Sequence, residues 1–72
     1  MAPMSVPSIH VNGAPRPFVA SQSVADLVRD LALEGRRIAV EVNGAIVPRS
    51  RYGDTRLRAG DRVEIVGAVG GG

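Results

Sequence analysis

Alternation of polar and apolar residues begins at Ser8: Ser8-Ile9-His10-Val11 has the period of two expected of a half-buried strand. Asn12-Gly13 follows, a dipeptide that favours the positive φ angles of a tight hairpin turn. The returning strand is expected over residues 16–20, Arg16-Pro17-Phe18-Val19-Ala20. Pro17 lacks an N–H, so this strand belongs at a sheet edge, with Phe18 rather than Val19 facing inward. The period then changes. Val24, Leu27, Val28 and Leu31 fall at i, i+3, i+4 and i+7, one apolar stripe of a helix. Ser23 and Asp26 have the spacing of a capping box at its start, and Gly35 is placed to stop it in the left-handed conformation. Alternation returns at Ile38-Ala39-Val40-Glu41-Val42, Asn43-Gly44 repeats the hairpin signal, and Ala45-Ile46-Val47 ends at Pro48. Residues 49–55 read as an exposed connection anchored by Tyr52. Leu57 is a buried position, Gly60-Asp61 a turn, and the last strand sets Val63 and Ile65 on one face and Glu64 and Val66 on the other.

The order is hairpin, helix, hairpin, final strand. One apolar stripe lets the helix cover one face of one sheet, so the other face stays partly solvated. The expected class is α+β, a mixed sheet of four to five strands packed on a single helix. The boundaries expected are a flexible leader over 1–7, in which Met4 is a possible start, a folded domain over 8–67, and a flexible tail over 68–72.

Composition narrows the function. A 72-residue chain buries only about 60% of its unfolded surface, which leaves no room for an enzyme with a deep pocket of its own. Its apolar residues are small: eleven Val, four Ile and four Leu against one Phe, one Tyr and no Trp. The absence of Cys excludes a disulfide scaffold, a zinc knuckle and a thiol nucleophile. One His, at position 10, leaves too few ligands for a transition metal. A net charge of +2, with nine Arg interspersed among seven acidic residues, is not the dense basic run of a nucleic-acid binder. No apolar run reaches the roughly 18 residues of a membrane span, and residues 1–7 do not form a signal peptide, so a cytoplasmic location is expected. The chain also has no Lys, hence no side-chain amine to attack an activated acyl group.

The usual catalytic constellations are absent. His10 has no partner in the pattern. Asp61 belongs to a turn, where a carboxylate bonds the local backbone, and the Asn-Gly pairs do not open a helix as a phosphate loop must. Gly70-Gly71-Gly72 is what remains. Without a Cβ, such a segment can extend through a narrow channel in another protein, which could then reach a free carboxylate on Gly72. Joining that carboxylate to AMP would supply a leaving group, and a sulfur nucleophile could displace it to give a thiocarboxylate: sulfur carried without cysteine.

Val42-Asn43-Gly44-Ala45-Ile46-Val47-Pro48-Arg49, Tyr52, the stretch from Leu57 to Val66, and the ending Ala68-Val69-Gly70-Gly71-Gly72 together resemble the ThiS family of thiamine-biosynthesis sulfur carriers. The resemblance covers about residues 8–72 and implies the ubiquitin-like β-grasp fold. It further implies that Gly72 is adenylated by an E1-like (ThiF-type) adenylyltransferase using ATP and converted to a thiocarboxylate by a sulfur donor system. A ThiG-type thiazole synthase then takes the sulfur. Gly70 and Gly71 would thread the tail into the partner. On this reading the chain is a protein co-substrate, not an enzyme, with no bound cofactor or metal and neither nucleic acid nor membrane as partner. Two alternatives stay open: a carrier for another pathway (molybdopterin, cysteine or tRNA thiolation), or a TGS-type or ubiquitin-like binding module with an inert tail. A reacting tail also needs a docking surface. Val66, opposite the core face, and Val69, just before the glycines, are its expected apolar members, with Arg49, Arg51, Arg56 and Arg58 steering toward acidic partners.

Overall fold

A computed structural model of the chain describes residues 6–67. Strands β1 (Ser8–Val11) and β2 (Ala14–Pro17) form the first hairpin, followed by helix α1 (Val24–Asp30). Strands β3 (Ile38–Val42) and β4 (Ala45–Val47) form the second hairpin. A short 3-10 helix, Arg49–Asp54, leads to β5 (Arg62–Gly67). Both hairpins turn on Asn-Gly pairs with positive φ at both residues (51° and 84°, then 53° and 86°), the mirror-image turn that matches the twist of the flanking strands.

Each hairpin has one strand free to pair further, and β5 satisfies both. It lies in the centre of a five-stranded sheet of order β2-β1-β5-β3-β4, parallel to β1 and antiparallel to β3. The outer strands discourage further pairing. Strand β2 carries Pro15 and Pro17, and β4 is three residues long and stops at Pro48.

The helix covers one face. Ile9, Val11, Val40, Val63 and Ile65 point inward from the sheet and meet Val24, Leu27 and Val28 of α1, with Leu57 closing the end. Burial of such side chains contributes about 1.5–3 kcal/mol each. Phe18 packs against this core while Val19 is exposed, and Tyr52 packs against it from the 3-10 helix, as the sequence predicts.

Three boundaries differ from expectation. The two-residue turn makes Val11 and Ala14 the first pair, so β2 starts at Ala14 and ends at Pro17 rather than spanning 16–20. One more rung follows, the Phe18 N–H donating to the Pro7 carbonyl at 2.9 Å, before Phe18 turns to the core. The helix ends before Gly35. Ala32, at φ 60°, takes the left-handed position after Leu31. Its N–H donates to the Arg29 carbonyl (3.0 Å) and the Leu33 N–H to the Val28 carbonyl (2.9 Å), the paired bonds of a Schellman stop. The connection over 49–55 is exposed as expected apart from half-buried Tyr52 and Thr55, and Arg49–Asp54 coil into a 3-10 helix that the pattern did not predict.

The helix start is as expected. The Asp26 N–H donates to the Ser23 hydroxyl (3.1 Å), and the Ser23 N–H donates to the Asp26 carboxylate (3.0 Å). That backbone N–H, then the Ser23 side chain and Arg29 (2.7 Å), hold the Asp26 carboxyl below its ordinary value of 3.8. Among the described residues, no helix is long and apolar enough to cross a membrane.

Candidate functional site

The site is built around the far end of β5. Two asparagine side chains hold this strand. At its start, the Arg62 N–H donates to Asn43 Oδ1 (2.9 Å), the Asn43 N–H donates to the Arg62 carbonyl (2.7 Å), and Asn43 Nδ2 donates to Asp61 Oδ1 (3.0 Å). Near its end, the Ile65 N–H donates to Asn12 Oδ1 (2.7 Å) and Asn12 Nδ2 donates to the Ile65 carbonyl (3.0 Å). Both asparagines come from hairpin turns, where the left-handed backbone points the short amide sideways at β5. The sequence identifies them as turn formers. Their second role, as ties across the sheet, was missed, because the Asn12 bonds span 53 residues and no local pattern signals them.

The sheet face away from the helix is open. Val66 lies on it, 58% exposed, directly opposite Ala39 of β3. Glu64 faces Glu41, which in turn faces Ile46 of β4, 71% exposed. The face is therefore apolar beside the exit of β5, with a pair of opposed carboxylates next to it. Ile46, on the edge strand and beside Glu41 instead of Val66, is an exposed apolar residue that sequence reasoning missed, since Ala45-Ile46-Val47 is apolar throughout and shows no alternation to say which residue faces out. On the other side of the exit, a groove of about 410 Å³ is bounded by Asn12, Leu31, Leu33, Arg36, Arg37 and Gly67 among others.

Val66 is thus placed at the exit. Val69, Gly70, Gly71 and Gly72 lie outside the described residues. His10 is exposed on the open face and paired in register with Arg62. Asp61 is engaged at the turn, its carboxylate accepting from the Arg58 N–H (2.8 Å) as well as from Asn43. Among the described residues, no group of three or more His, Cys, Asp or Glu could hold a metal ion. Of the four arginines expected to steer partners, two have structural bonds. Arg49 donates to the Arg36 carbonyl (2.9 Å) and Arg56 to the Ser21 carbonyl (2.7 Å), while both remain exposed. The arrangement offers an open, partly apolar face beside the end of β5, and its described residues include no catalytic constellation.

The chain is 44% identical over 62 residues to a thiazole synthase of Paramagnetospirillum magneticum, and 38% identical over 64 residues to one of Magnetococcus marinus. These alignments take in 86% and 89% of this chain but 19% and 20% of those proteins, so the chain spans about a fifth of their length. The crystal structure of a thiamine biosynthesis protein, ThiS, from Geobacter metallireducens superposes with a TM-score of 0.76 at 29% identity, covering 90% of this chain and 99% of that one. The model of the ThiS family matches residues 9–72. With five mixed strands grasping one helix as in that structure, this β-grasp chain belongs to the ThiS family.

Proposed function

We propose that this chain is a sulfur carrier of thiamine biosynthesis, with the Gly72 carboxyl as the group that is activated and loaded. The observation carrying this reading is the family match, which runs through Gly70-Gly71-Gly72. The likeness of the chain to part of two thiazole synthases supports thiazole formation as the destination of the sulfur.

The chemistry balances without help from this chain's own side chains. A carboxylate oxygen attacks the α-phosphorus of ATP and pyrophosphate leaves, giving an acyl-adenylate. Sulfide-level sulfur (HS⁻) delivered by a donor system attacks the acyl carbon, AMP leaves with the electron pair of the broken C–O bond, and loss of the S–H proton leaves the thiocarboxylate. Thiazole synthase consumes the sulfur, and the carboxylate returns. The chain is then a co-substrate, and ATP belongs to the E1-like partner. Because the chain has no Lys and no Cys, the activated carbonyl meets neither a side-chain amine nor a thiol of its own.

Incubation with an E1-like adenylyltransferase and ATP should add AMP, seen by intact-mass analysis, and a sulfur source should then replace one oxygen of Gly72 by sulfur. An unchanged mass with active enzyme, or a modification mapped elsewhere, would overturn the reading. Adding thiazole synthase with its other substrates should return the loaded form to the carboxylate. A thiocarboxylate that thiazole synthase leaves untouched would reassign the carrier to another pathway.

A further inference from the structure

We infer that Asn12 is a positioning residue that sets the direction in which the chain leaves β5; its consequence for activation rests on the sulfur-carrier reading above. Pairing of β1 with β5 ends at Val11 and Val63, short of the strand's last residue, Gly67. On that side the chain of β1 turns away at Asn12-Gly13 into β2. The Asn12 N–H reaches the Val63 carbonyl (2.9 Å), and the side-chain amide then takes both backbone groups of Ile65. It serves as one further rung that β1 itself does not supply. An amide suits this place because Ile65 offers one donor and one acceptor. Asn meets both, whereas Asp, Ser or Gly cannot meet them in the same way.

The opposite side of β5 is covered by β3 as far as Ile38 and Gly67. Without Asn12, the last turn of side-chain positions, Ile65 to Gly67, would be held from one side only. Its direction would then follow the twist of the β3 pair alone. Loosening that end adds conformational freedom that must be lost when a partner aligns the reacting group, a positioning cost that falls on rate. Asn12 also lines the groove beside Gly67, so the tie lies directly at the exit.

Asn43 provides the matched control. It has the same residue type, the same turn and nearly the same φ, and its side chain also ties β5, at the strand's start: Oδ1 accepts from the Arg62 N–H, while the amide nitrogen goes to the Asp61 carboxylate, not to backbone. Glycine keeps the left-handed turn at either position and removes the tie. Asn12→Gly and Asn43→Gly are compared as substrates of the E1-like enzyme at a temperature where both are folded. Asn12→Gly should lower kcat for adenylation about tenfold or more while leaving KM near the wild-type value, because the docking face is intact. Asn43→Gly should leave kcat essentially unchanged. Equal losses in the two variants, or full activity in Asn12→Gly, would overturn the inference. If Asn12→Gly does not fold, Asn12→Asp and Asn43→Asp are compared in its place; they keep the turn and the acceptor and lose the donor. A second readout needs no enzyme: backbone NMR order parameters of Val66 and Gly67 should fall in the Asn12 variant and not in the Asn43 variant. Failure of wild-type adenylation would count against the carrier reading, and the NMR comparison would still decide whether Asn12 sets the exit.

Discussion

Ala32 carries a conformational cost that glycine would not. A left-handed backbone costs an L-residue about 1–2 kcal/mol, partly offset here because alanine has less freedom to lose on folding. Ala32→Gly should therefore raise stability by about 0.5–1 kcal/mol, or a few degrees in Tm, since the Schellman bonds from Ala32 and Leu33 are backbone bonds and survive the change. A lower Tm would mean that the alanine methyl contributes packing. Asp26 sets a pH dependence whose sign follows from its lowered pKa. The stabilisation is present above the ordinary value of 3.8 and is lost as pH falls through the lower, folded value. Asp26→Asn should be less stable than wild type at neutral pH, with the gap narrowing below about pH 4. Denaturant midpoints measured across that range check this, and a constant gap would contradict it. At this scale the sequence was legible wherever the interaction is local. Ser23 and Asp26 are three residues apart, and their capping box could be read directly. Glycine's tolerance of the left-handed conformation points to Gly35 as the stop, whereas the left-handed stop lies at Ala32, after which Leu33 packs against the core.

Elements follow the same division. Both hairpins were legible from Asn-Gly between alternating runs, and β1, β3 and β5 keep the predicted faces. Strand β2 was displaced because turn geometry, not composition, decides where a returning strand begins. The short β4 gave no periodic signal, so the exposure of Ile46 went unseen. Val66, at the end of β5, carries a prediction of its own. Val66→Asp puts a charge where a partner would have to desolvate it. On the carrier reading it should raise KM for adenylation about tenfold or more and leave Tm nearly unchanged, because Val66 is already 58% exposed. Unaltered KM would remove the open face from the docking surface. Glu41 and Glu64 stand opposed beside it, an arrangement unfavourable in isolation, and a basic group on the partner would relieve it.

For the whole molecule, the order of elements was enough to give the class, and the glycine ending led to the chemistry proposed above, with which the missing Cys and Lys are compatible. The sheet order was not available from any single segment. That β5 enters between the hairpins depends on two free strand edges, of β1 and β3, contributed by distant parts of the chain. This central position has a mechanical consequence. A partner that draws the residues beyond Gly67 into a channel pulls along the axis of β5. Hydrogen bonds in the ladders to β1 and β3 run across that axis, so the pull loads them together, in shear, instead of peeling them one at a time. Because β1 runs parallel to β5, its own start at Ser8 lies at the opposite end of the sheet. Tension between Ser8 and Gly67 therefore meets the same shear resistance. The topology that makes β5 the last of the described strands in sequence and the middle strand in space lets the domain act as a handle that stays folded while its end is drawn elsewhere.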